Sequence, residues 1–178
     1  MTSFLKIIHP DEKRKYPYKY RGNVINNIDP MKMGRVLVTV PDVIPLSSWA
    51  MPCAPMAGIQ AGMFCIPPIG SHVWIEFENG DADYPIVVGG FWANPGEVPA
   101  LSQLTPPGLT SMQMTTQLQN QMLLSDTPGP TGGFMLLTNT GAGILVNDTG
   151  VFIMNGRGAM ISMVGPSVDI NVGALTVI

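Results

Sequence analysis

The sequence predicts an all-β protein, a small Greek-key barrel followed by a run of short, regularly spaced strands. Two observations carry this. Apolar residues recur in short β-branched runs stopped by Pro, Asp or Gly, with no helical periodicity. In the last third, Gly143, Gly150, Gly158, Gly165 and Gly173 fall at alternating steps of about seven and eight residues, a beat expected of a β-solenoid.

The elements group into four stretches, 1–21, 22–97, 98–132 and 133–178. The first holds KRKYPYKYR, where cations alternate with Tyr16, Tyr18 and Tyr20. That alternation fits a solvated arm or an edge strand, and it also fits a docking contact made by Lys13, Arg14, Lys15, Tyr16 and Tyr18 with a neighbouring subunit.

The second stretch reads as the barrel. GNVINNIDP and GRVLVTVPDV are strand-like. SHVWIEFENGD alternates cleanly, with Val73, Ile75 and Phe77 on one face and His72, Trp74, Glu76 and Glu78 on the other. Asn79-Gly80 supplies a tight turn that returns the chain as YPIVVGGFW. Its length suits a five-stranded barrel of the oligonucleotide/oligosaccharide-binding (OB) type.

A Pro-rich joint and a Gln/Met-rich stretch make up 98–132, the linker and start of the final element. From 133 on come FMLLTN, ILVND, VFIMN, AMISMV, VDINV and LTVI, in which Ile144 and Val146, Val151 and Ile153, or Val168, Ile170 and Val172 would face one side. Burial of those side chains within one chain falls short of the entropy of ordering the segment, so strand pairing and apolar contact must come from other chains.

Composition agrees. Only 12% of residues are charged, against 46% hydrophobic, so something other than charge must cover apolar surface, and subunit contact does so most simply. Eight of the nine Lys and Arg precede Val36, and none lies between Val36 and Gly156. That long stretch has no means of neutralising a run of phosphates, which argues against nucleic-acid binding. No signal peptide and no span of about 18 apolar residues is expected, in keeping with synthesis in the cytoplasm.

No residue set points to bond chemistry, and the expected site list is catalytic none, cofactor none, metal none. His9, His72, Cys53 and Cys65 lack the close spacing of a zinc site, and both cysteines are expected to be buried free thiols. Glu76, Glu78, Asp81 and Asp83 read as a solvated acidic hairpin or as an ion-pair contact with Arg35 or a neighbouring subunit; no EF-hand spacing appears. GAGILVNDTG lacks the GK[ST] ending of a phosphate loop. The 13 Met residues suit adaptable packing in a narrow shared core.

The run DPMKMGRVLVTVPDV, then WAMPCAP, then GMFCIPPIGSHVWIEFENGDADYPIVVGGFW resembles the barrel of phage baseplate assembly protein V and central spike proteins. Related barrels occur in the valine-glycine repeat spikes of type VI secretion and in extracellular contractile injection systems. Gly34-Arg35-Val36, Pro68 with Gly70, and Glu76 to Asp81 leading to Asp83, Pro85 and Gly89 carry most of the likeness, and GPSVDINVGALTVI resembles the last turns of the family's β-helices. There is no lysozyme insert and no long valine-glycine repeat.

The resemblance implies a homotrimer whose OB barrels dock on a baseplate hub or tail tube and whose C-terminal segments form an intertwined triple-stranded β-helix, a needle aimed at the target outer membrane. It places the protein in a phage tail baseplate or a contractile injection particle. Leu175, Thr176, Val177 and Ile178 end the sequence as an apolar strand, and three such ends are expected to be capped by a tip protein. The competing expectation is a barrel that binds glycan or peptide, carried on a solenoid stalk.

Overall fold

In a computed structural model, which describes residues 14–177, the chain is all-β apart from three short 3-10 turns, and it divides into two compact units, one through Ala93 and one from Asn94.

The first unit contains β1 (Tyr20–Asn26), β2 (Leu37–Thr39), β3 (Met51–Pro52), β4 (Ala57–Gly58), β5 (Ala61–Gly62), β6 (His72–Phe77) and β7 (Pro85–Phe91). Five of them form one sheet in the order β2-β1-β6-β7-β3. A reciprocal backbone pair joins the sheet's two ends, with Val36 N donating to Ala50 O at 3.2 Å and Ala50 N to Val36 O at 2.8 Å. This contact lets a five-stranded sheet curl back on itself around a core.

Alternation determines what fills that core. Val73, Ile75 and Phe77 point inward and join Val24, Val36, Val38, Val40, Ala50 and Val87, while His72, Trp74 and Glu76 point outward. β1 lies between β2 and β6, so it is an interior strand and not an edge. The Asn79-Gly80 turn is present, with φ of 51° and 75°, but it sits in a wider connection in which Glu78 N donates to Tyr84 O and Phe77 pairs with Pro85.

Arg35 pairs with Asp29, not with the acidic hairpin. Its guanidinium donates to Asp29 Oδ1 at 2.6 Å, and the backbone N–H groups of Met31 and Met33 also donate to the same carboxylate. The hydrogen bond from Arg35 holds the Asp29 carboxyl far below the usual carboxylate range, the backbone donors add to this, and the partner's pKa is raised. A depressed acid stabilises the fold above its unfolded pKa of about 3.9, and that contribution is lost as pH falls through the folded value. Asp29→Asn is therefore expected to lower the melting temperature by several degrees at neutral pH and to flatten the acid limb below about pH 4. Thermal melts across pH 2–7 check this.

The second unit is an antiparallel meander whose spatial order follows the sequence: β8 (Ser111–Thr115), β9 (Gln121–Ser125), β10 (Gly133–Leu137), β11 (Ala142–Asn147), β12 (Gly150–Asn155), β13 (Met160–Val164), β14 (Ser167–Ile170) and β15 (Leu175–Val177). The glycine beat is the length of one strand plus one turn. Within one chain it marks reversals, such as Gly165-Pro166 between the paired residues Val164 and Ser167, and not corners of a coil turning in one sense.

Gly133 shows how tightly the ladder is set. Its φ is +74°, and a Cβ there would stand 2.1 Å from Val146 O. Gly133→Ala is expected to separate β10 from β11 and to cost more than the roughly 1 kcal/mol of a simple left-handed penalty; hydrogen exchange of the β11 amides reads the loss.

Candidate interaction face

Register builds a single apolar face across the second unit. Met112 stands opposite Leu124, which continues through Phe134, Val146, Val151, Met163, Val168 and Val177. Two residues along, Met114 leads through Met122, Leu136, Ile144, Ile153, Ile161 and Ile170 to Leu175. Each row crosses all eight strands and contains only apolar residues. Strand alternation puts both rows on one side of the sheet, because their members are two residues apart on every strand.

The face lies open. Met112 is 72% exposed, Met114 52% and Ile153 42%, far from core values. Beside the second row is a hollow of about 450 Å³, lined by Leu136, Ile144 and Ile153 with Leu137, Met154 and Asn120.

The opposite face is better covered. Its central row starts Gln113, Leu123, Met135, Leu145, Phe152, of which Leu123 and Met135 are buried, and continues through Ser162 and Asp169. Gln113 is fixed by Ser102 at 2.5 Å and by Gln121 at 2.9 Å. Asp169 is the only charged residue in these eight strands, and its Oδ1 accepts from Gly173 N in the turn to β15.

Most sequence-selected face residues come together. Ile144, Val146, Val151, Ile153, Val168 and Ile170 share the open side. Val172 does not, because β14 ends at Ile170 and Val172 occupies the following turn at φ 54° and 82% exposed. Sequence inspection missed Met112, Met114, Met122 and Leu124, whose alternation in SMQMT and QMLLS was the available signal. Of the terminal residues, Leu175, Thr176 and Val177 form β15, an outer strand of the sheet, and Ile178 lies outside the described residues.

The arm residues separate. Tyr16 N donates to Gly80 O at 2.8 Å, and its ring packs against Tyr20 and Phe77 with centroids 6.0 and 5.8 Å away, so Tyr16 belongs to the barrel. Arg14 lies over the Tyr16 ring, Lys15 and Tyr18 are exposed, and Lys13 and His9 lie outside the described residues. Glu76 meets Lys19 at 3.4 Å. Both cysteines are exposed, contrary to the buried thiols expected, because they sit on the long insertion between β3 and β6 and not in the core.

Outside the barrel, Arg21 stacks on Trp74 and Phe91 at 5.5 and 5.4 Å, beside the His72–Asn23 contact at 2.6 Å. Among the described residues no group of three His, Cys, Asp or Glu is placed to hold a metal.

An open apolar face needs more chains to cover it, and the comparisons with known proteins point the same way. Residues 20–92 match the type VI secretion system/phage-baseplate injector OB domain, and residues 111–176 match the phage baseplate V C-terminal trimerisation domain. No curated protein matches the chain. The match to the trimerisation domain spans all eight strands of the open face but for Val177, the last residue of β15, which supports a homotrimer and a structural baseplate role. With both of its units matched in order, the chain belongs to the phage baseplate V family.

Proposed function

We propose that this chain is the central spike of a contractile injection machine. Three copies join through the two apolar rows and intertwine as a needle that pierces the target outer membrane. The observation that carries the reading is the unbroken apolar character of both rows across eight strands, with no cation in any of them. Such a needle does no bond chemistry. It transmits force, and a ladder whose backbone bonds share the load suits that task because many bonds must fail together.

The barrels dock on the hub or tube through Lys13, Arg14, Lys15, Tyr16 and Tyr18, of which Arg14, Lys15 and Tyr18 are exposed. A tip protein seats on β15 at Leu175, Thr176 and Val177, extending to Ile178; the outer position of β15 in the sheet supports this. Imaging of the assembled particle tests the placement. A three-fold object on the tube axis, barrels toward the tube and β15 at the far end beneath further density, is expected; the chain in the sheath or tube wall would overturn the reading.

The Arg21–Trp74–Phe91 stack favours a second reading, a barrel that binds glycan or peptide, because paired rings beside polar side chains suit sugar or peptide contacts. Binding of envelope oligosaccharides that Trp74→Ala abolishes would support it.

A further inference from the structure

The insertion between β3 and β6 carries a finger whose Phe64 ring rests beside Gly34 of the barrel unit and whose apolar side chains are otherwise largely exposed. Its ladder consists of Ala57 opposite Gly62 and Gly58 opposite Ala61, extended by Met63 N donating to Met56 O at 3.0 Å. Not one residue from Cys53 to Ile66 is buried. A two-stranded ribbon this short is marginal in water unless it packs against something.

What it exposes is apolar. Ile59 at the tip is 98% exposed, Phe64 65%, Met56 59% and Met63 48%. No Asp, Glu, Lys or Arg occurs anywhere from Val43 to Ile75. A contiguous apolar protrusion of this kind marks an interaction site.

The absence of charge indicates the partner. Close to a three-fold axis a side chain faces its own copies, so a charge placed there meets the same charge twice, and a contact on the axis calls for a neutral surface. The matched domains are separated only by residues 93–110, so a trimer held at 111–176 keeps three barrels at high effective concentration.

We propose that the β4–β5 fingers of three copies pack against one another around the three-fold axis, through Met56, Ile59, Met63 and Phe64. This rests on the homotrimer, and it gives the first unit a second clamp of its own.

The test uses the full chain with Cys53→Ser and Cys65→Ser, to which Ile59→Cys is added, and a matched chain with Tyr84→Cys, an exposed position on the β6–β7 connection and not part of the finger. Native mass is measured first, so a monomer reports failure of the trimer itself and not of the finger contact. In intact trimers, mild oxidation is expected to link Ile59→Cys chains in pairs at least about tenfold faster than Tyr84→Cys chains, beyond what tethering alone supplies. Equal rates, or no linkage at position 59 in an intact trimer, would overturn the proposal; the latter is also the result if the fingers grip a different protein. As a second readout, Ile59→Asp is expected to leave the trimer mass unchanged and to raise the thiol reactivity of Cys53 and Cys65 in the otherwise native chain. Unchanged reactivity would count against the contact.

Discussion

A chain carrying Ile144→Asp is expected to lose the trimer while keeping its barrel. Ile144 sits mid-row between Leu136 and Ile153 and is 38% exposed in the single chain, so one copy tolerates a carboxylate there with modest cost. Once three chains close over the face, that carboxylate is buried without a partner. The penalty for an uncompensated buried charge is about 3–5 kcal/mol, and it recurs in each copy. Association then weakens by several orders of magnitude, which sedimentation over a concentration series reads directly. Ile144→Val is the control, because losing one methyl group costs about 0.5–1.5 kcal/mol and leaves the trimer standing. A trimer of normal strength carrying the aspartate would mean that the face is not the interface.

Ile75→Ala is expected to have the opposite selectivity. Ile75 is fully buried among Val24, Val73 and Phe77, and its truncation costs about 2–5 kcal/mol, a large share of the roughly 5–15 kcal/mol that holds a domain folded. The first unit should then melt well before the second, giving two calorimetric transitions with the later one unmoved. A common downward shift of both would show that the units do not unfold separately.

These two substitutions mark what was legible in the sequence. The barrel's inward set was readable because Val73, Ile75 and Phe77 alternate with polar neighbours, and alternation maps directly onto the faces of a strand. Most of the open face was readable for the same reason. Its strand order was not, since a step of seven or eight residues describes a strand and a turn whether the chain reverses or coils onward; the antiparallel pairings, such as Val164 with Ser167 across Gly165-Pro166 and Asn147 with Gly150, decide it.

Side-chain partners were the least legible. Arg35 has four acidic candidates on β6 and its connection to β7, yet Asp29 wins because the loop from Asp29 to Arg35 brings the guanidinium back onto the Asp29 carboxylate. Cys53 and Cys65 read as buried because their neighbours are apolar, which in most chains means a core, yet both are exposed. Here the apolar neighbours belong to a finger in which no residue is buried.

Native mass spectrometry of the 178-residue chain tests the central claim most directly. The account predicts a species of three times 19.1 kDa, with the amides of 111–177 protected from exchange. A stable 19.1 kDa monomer whose second unit is equally protected would contradict it.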